Sequence, residues 1–111
     1  MNTEQITQVV INALEDVKGD NIVVIKTGHI SSMFNAIVVC SGTSSRQIGA
    51  LAHNVIEDLK TNGINIIGTE GKRGGEWVLV DAGDVVIHIM LPKVREYYSI
   101  EALWNEEKQD N

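Results

Sequence analysis

The sequence predicts an α/β fold, a mixed β-sheet of about five strands with helices packed against it. Three observations carry this. Two segments, 6–17 and 48–59, repeat apolar residues at helical spacing. Three short runs, "NIVVIK", "AIVVC" and "INIIG", are rich in β-branched residues, which fit a pleated sheet. The longer stretch "EWVLVDAGDVVIHIML" (76–91) alternates aliphatic with mixed side chains on either side of a turn, the pattern of a hairpin.

In chain order, Ile6, Val9, Val10, Ala13, Leu14 and Val17 make the stripe of a first helix. Asn2 or Thr3 can cap its start, Glu4 suits the positive end of the helix dipole, and Gly19 can stop it. "NIVVIK" (21–26) follows as a strand, 28–35 as a loop, and "AIVVC" (36–40) as a strand whose continuous apolarity implies burial on both faces. In "SGTSSRQ", Ser44 and Gln47 have the spacing of a capping box. Ile48, Leu51, Ala52, Val55, Ile56 and Leu59 then form the second stripe, which Gly63 ends. "INIIG" (64–68) is a third strand, and "TEGKRGG" (69–75) a glycine-rich loop expected to be mobile. After the hairpin, Pro92 closes the sheet region. "VREYYSIEALW" (94–104) reads as a short helix or two turns, with Tyr97, Tyr98, Leu103 and Trp104 expected to dock on the core. Residues 1–105 are expected to form one domain and 106–111 a flexible polar tail.

Composition excludes several functions. The 111 residues carry a net charge of −6, with Lys72-Arg73 the single adjacent basic pair. Nucleic-acid affinity comes largely from Lys and Arg displacing counterions, so sequence-specific nucleic-acid binding is not expected. An acidic domain is better suited to a basic protein partner. One cysteine, Cys40, excludes an internal disulfide and fits a reducing compartment; at the end of a buried strand it reads as a small core residue. No apolar run approaches the roughly 20 residues that span a bilayer. A cytoplasmic protein with no membrane partner is the expectation.

The hairpin holds the residues of greatest interest. If its turn centres on Ala82-Gly83, Val80 opposes Val85, Leu79 opposes Val86, Val78 opposes Ile87, and Trp77 opposes His88. One face is then Val78, Val80, Val85, Ile87, Ile89 and Leu91, entirely aliphatic, and belongs to the core. The other is Trp77, Leu79, Asp81, Asp84, Val86, His88 and Met90. Such a face is either a partly covered sheet surface, a binding patch of apolar residues rimmed by acids, or a catalytic group of Asp81, Asp84 and His88. Aspartate flanking a turn is favoured for bonding nearby backbone, and a mid-strand histidine is more often structural than basic, so catalysis is the weakest of the three.

Other chemistry is weaker still. His29, His53 and His88 lack zinc-site spacing, which leaves open their convergence in space. "SGTSSRQ" lies between a strand and a helix, where backbone N–H groups can hold phosphate, but it lacks the lysine and glycine spacing of a P-loop. A nucleotide-binding or nucleotidyl-transferring enzyme would use the Gly42-Thr43-Ser44 helix start for phosphate and Asp81 or Asp84 for magnesium.

Taken together, "GTSSRQ" (42–47), "EGKRGGEWVLVDAGDVVIHIML" (70–91) and "REYYSIEALW" (95–104) resemble the ribosomal silencing factor family, also called the Iojap-related family. The similarity runs from the first helix to Trp104. It implies a sheet related to nucleotidyltransferases without their catalytic acids, and no Asp-x-Asp or Asp-x-Glu pair lies on a predicted strand here. It further implies binding to the large ribosomal subunit through ribosomal protein L-fourteen, exclusion of the small subunit, and lowered translation when nutrients are short. No cofactor is implied, and a homodimer in the free state is consistent with it. Trp77, Leu79, Val86 and Met90 would form the centre of the contact, with His88 among them and Asp81 and Asp84 at the rim. Asn35-Ala36, Ala82 and Met90 stand where the family commonly carries an Asp-Tyr pair, a larger residue such as tyrosine, and phenylalanine.

Overall fold

The computed structural model describes residues 1–28, 33–71 and 75–104, with 103 and 104 described by their backbone alone. His29, Lys72-Arg73 and the tail expected over 106–111 lie outside the described residues. The chain runs α1 (Thr3–Asp16), β1 (Asp20–Lys26), β2 (Ala36–Ser41), α2 (Ser45–Thr61), β3 (Gly68–Glu70), β4 (Trp77–Asp81), β5 (Val85–Met90), α3 (Pro92–Tyr98) and α4 (Ile100–Trp104). The strands form one mixed sheet in the order β1-β2-β5-β4-β3. β2 and β5 are parallel, and the other neighbours are antiparallel. This is the fold class the sequence predicts.

Both long helices are capped by their own sequence. Asn2 Oδ1 accepts from the Gln5 N–H at 2.8 Å, and Gln5 Oε1 accepts from the Asn2 N–H at 3.0 Å, a complete capping box. At the other end the left-handed residue is Lys18, with φ +60°, rather than Gly19. The N–H groups of Lys18 and Gly19 close the helix on the carbonyls of Glu15 and Leu14, at 3.0 and 2.8 Å. Gly19 is small for a different reason: a Cβ there would lie 2.6 Å from Cys40 Sγ, so glycine lets this turn press against β2.

The Ser44–Gln47 box forms only by half. Ser44 Oγ accepts from the Gln47 N–H at 3.1 Å, but the Gln47 side chain does not return to Ser44. It accepts from the Thr43 N–H and donates to the carbonyls of Val17 and Lys18, at 3.2 and 3.1 Å. One side chain thus joins the start of α2 to the end of α1. Gly63, with φ +74°, ends α2, its N–H and that of Ile64 bonding the carbonyls of Lys60 and Leu59.

The third strand is displaced from its expected place. Ile64 and Ile66 pack against the core, yet residues 64–67 form no strand, and pairing covers Gly68–Glu70 instead. The Ile64 N–H is spent on closing α2, and the segment reaches β4 only where the Ile67 N–H meets the Asp81 carbonyl at 2.8 Å. An apolar, β-branched run marked extended backbone here, not a ladder.

The sheet has two unequal faces. On one, the stripes of α1 and α2 cover Ala36, Val38, Cys40, Val78, Val80, Val85, Ile87 and Ile89 in a single large core. On the other, a smaller cluster of Ile25, Ile37, Val39, Met90 and Ile100 is joined by Val23, Phe34, Trp77 and Val94. All six residues of β2 are buried, because it is covered from both sides.

Arg95, 6% exposed, pins α3 and α4 over this second cluster. Its Nε and Nη2 bond both carboxylate oxygens of Glu101, at 2.8 and 3.1 Å, and Nη1 bonds Ser41 Oγ at 2.9 Å. The left-handed Ser99, φ +50°, turns the chain so that Glu101 comes back to Arg95. Tyr97 and Tyr98 do not dock on the core; they are 81% and 55% exposed, and Arg95, Val94 and Ile100 make the attachment. The side chains of Leu103 and Trp104 lie outside the described residues.

Candidate functional site

The hairpin turn sets the register of the candidate surface. It centres on Gly83-Asp84 rather than Ala82-Gly83, with the Ala82 N–H bonding the Val85 carbonyl at 3.0 Å. Gly83 has φ +86° and Asp84 does not have positive φ, so the glycine takes the first central position, where only it is unstrained. Asp81 therefore pairs with Val86, Val80 with Ile87, Leu79 with His88, Val78 with Ile89, and Trp77 with Met90. The expected pairs were two residues out of step, a shift that leaves every side chain on its expected face.

Across the second face the pairing lays out three rows. Ser41, Met90 and Trp77 form one. Val39, His88, Leu79 and Glu70 form the next, and Ile37, Val86, Asp81 and Gly68 the third. In each row the β2 residue is buried and the β4 residue is partly exposed. Trp77, Leu79, Asp81 and Val86 are partly exposed and reach solvent. Asp84 is exposed at the turn.

Two of the predicted contact residues are not on that surface. Met90 is fully buried, because its row runs under α3 and α4, where it packs with Ile100. It lies beside Trp77 on the same face, covered by the C-terminal helices. His88 is only 8% exposed. It is diagonal to Trp77 in the sheet, yet the indole is long enough to reach it, and Trp77 Nε1 donates to His88 Nδ1 at 3.0 Å. Burial lowers the His88 pKa from 6.5 to about 4, and the accepted N–H acts in the same direction, because Nδ1 can accept only when unprotonated.

The tyrosines that sequence reasoning placed in the core belong here. The Tyr98 ring lies 4.8 Å from that of Trp77, and Tyr97 meets Tyr98 edge-on at 4.9 Å. The sequence signal was available in the R-x-x-Y-x-x-E spacing: Arg95 and Glu101 form the clamp, and Tyr98 between them is carried outward. Beside Trp77 the surface dips into a small cavity, about 280 Å³, lined by Glu70, Gly71, Trp77 and Leu79. Gly71, with φ +84°, lets the chain lie close along β4 here, since a side chain there would collide with the Trp77 carbonyl. The result is an aromatic and aliphatic centre with Glu70, Asp81 and Asp84 around it.

The residues of the catalytic readings do other things. Asp81 Oδ1 accepts from the Gly83 N–H at 2.9 Å, holding the turn. The Asp84 backbone carbonyl accepts from the N–H groups of Asn35 and Ala36, at 2.7 and 3.1 Å, and anchors the start of β2. Ser44 caps α2. His53 is exposed on α2, across the sheet from His88, so these two histidines do not converge. Burial raises the Cys40 thiol to about 11, which leaves it protonated at neutral pH and a poor nucleophile. Among the described residues, no group of three His, Cys, Asp or Glu side chains is placed to hold a metal ion.

Fold and surface together define an α/β domain that covers one sheet face with its own helices and leaves half of the other open. The family model described as "Ribosomal silencing factor during starvation" matches residues 1–111. The chain is 51% identical over 108 residues to the ribosomal silencing factor of Chromobacterium violaceum, covering 97% of this chain and 88% of that one. A crystal structure of a protein from Chromobacterium violaceum superposes with a TM-score of 0.93 at 51% identity, over 95% of this chain and 88% of that one. A mouse protein named "Mitochondrial assembly of ribosomal large subunit protein 1" is 41% identical over 70 residues, 60% of this chain and 31% of its own length. The chain belongs to the ribosomal silencing factor family. No described helix is long and apolar enough to cross a membrane.

Proposed function

We propose that this protein is a non-enzymatic translational repressor acting in the cytoplasm. It binds the large ribosomal subunit through ribosomal protein L-fourteen and keeps the small subunit from joining. The observation that carries the reading is the open half of the second sheet face, where Tyr98 is exposed and Trp77, Leu79 and Val86 are partly exposed, with Asp81, Asp84 and Glu70 around them. Aromatic anchors surrounded by charge are what interface centres are made of. The net charge of −6 favours encounter with a basic ribosomal protein. Membership of the family supports a role on the ribosome, and the name of the mouse relative supports the large subunit. Exclusion needs no chemistry: a body of 12.2 kDa on the docking face of one subunit blocks the other. In the free protein the same face is available to a second copy, which makes a homodimer the resting state.

Sedimentation of purified ribosomal subunits through a sucrose gradient, with and without the protein, tests this. The protein should travel with the large subunit and the joined peak should fall. Trp77→Ala should weaken binding roughly thirtyfold, the cost of an anchor worth about 2 kcal/mol, with the fold intact by circular dichroism. Protein that stays at the top of the gradient, with the joined peak unchanged, would sink the proposal.

A further inference from the structure

We infer that His88 is a positioning residue: its Nδ1 fixes the orientation of the Trp77 ring on the open face and thereby sets the affinity for a partner that docks there. This rests on the docking role proposed above for Trp77. His88 has little surface of its own to offer, at 8% exposure. Its cross-strand neighbours on that face are Val39 and Leu79, so an aliphatic side chain would suit the position. A buried imidazole costs stability unless its polar atoms are satisfied, and what satisfies Nδ1 is the Trp77 indole N–H at 3.0 Å. The bond has a direction, since an indole nitrogen only donates and the acceptor must therefore be unprotonated. Burial provides for that by holding the imidazole neutral at physiological pH.

The consequence lies in the ring. Trp77 is half-buried and rotates about two side-chain bonds, yet it is gripped at two points, by His88 at its nitrogen and by the tilted Tyr98 ring, whose centre lies 4.8 Å from its own. A ring already held in its docking orientation loses less freedom when a partner arrives, so the hydrogen bond raises affinity without touching the partner.

Asparagine and leucine at position 88 separate this from simple packing. Asparagine sets its Oδ1 near the place of Nδ1 and keeps an acceptor, whereas leucine fills a similar volume without one. The full chain is used, with the Trp77 indole N–H followed by nuclear magnetic resonance and affinity measured on purified large subunits. His88→Leu should shift the indole signal, speed its exchange with solvent, and weaken binding roughly fivefold, the scale of one hydrogen bond. His88→Asn should recover most of both. Added to Trp77→Phe, which has no N–H to position, His88→Leu should cost nothing further. An equal loss on both backgrounds, or an indole signal that ignores the leucine, overturns the inference. If Trp77→Ala leaves subunit binding unchanged, the docking role fails and this inference with it. That outcome is recognisable because the indole signal would still answer to His88.

Discussion

Val86 and Ile87 are neighbours in one strand and belong to different parts of the protein. Ile87 points to the face covered by α1 and α2 and is fully buried; Val86 points to the other face and reaches solvent. The same contrast runs along β4, where Val78 and Val80 are buried while Trp77 and Leu79 are partly exposed. The covered face spends its aliphatic side chains on holding the fold together. Within one chain the half-open face leaves apolar area uncovered, which contributes little to the fold of that chain and is available for binding.

The sharpest way to break this comparison is to truncate the two neighbours in turn. Ile87→Ala removes methyl groups from a packed core and should cost about 3 kcal/mol of unfolding free energy. Val86→Ala removes partly hydrated ones and should cost about 1 kcal/mol or less. Urea denaturation measures both. Equal losses would mean that the second face is as much core as the first, and the open surface would lose its meaning.

Next in size is a dependence on pH. The His88 imidazole titrates near 6.5 in the unfolded chain and near 4 in the fold, because burial disfavours its charged form. Between those values the unfolded state binds more protons, so stability is full above about 6.5 and falls as the pH drops toward 4. The slope is at most about 1.4 kcal/mol per pH unit. His88→Asn should flatten this part of the stability profile, in urea titrations from pH 7 to 4.5. A slope unchanged by the substitution would place the titrating group elsewhere.

The two faces were not equally legible in sequence. Both helical stripes, the caps at Asn2 and Ser44, the stop at Gly63 and the sorting of hairpin residues into faces follow from local rules of spacing, and the structure agrees with them. Parity along a strand is intrinsic to the backbone, so the faces survived an error of two residues in the pairing. Register is different, because it is decided by which residue can take the strained turn position, and Gly83 took the first. What stayed hidden depends on long-range contacts. Gly19 yields to Cys40 across the gap to β2, and Gln47 leaves its own cap to reach Val17. Arg95 folds the C-terminal helices onto Ser41, which buries Met90 and turns Tyr98 outward onto Trp77. The pairs Gly19–Cys40, Val17–Gln47, Ser41–Arg95 and Trp77–Tyr98 each lie more than 20 residues apart, beyond the reach of any local pattern.

The smallest expected effect concerns the rim of the open face. Asp84 stands exposed at the hairpin turn, and its structural work is done by its backbone carbonyl, which receives the N–H groups of Asn35 and Ala36. Asp84→Ala keeps that carbonyl, so folding stability should change by less than about 0.5 kcal/mol. An exposed charge in water contributes under about 1 kcal/mol to a complex, which is less than fivefold in affinity and well short of the Trp77→Ala loss. The loss should appear in the association rate, since a rim charge acts mainly while the partners are still approaching, and it should fade as salt shortens the range of that attraction. Stopped-flow association with large subunits at low and high ionic strength separates the two roles. A loss that is confined to the dissociation rate and survives high salt would make Asp84 part of the buried centre, and would extend that centre from the aromatic rings to the tip of the hairpin.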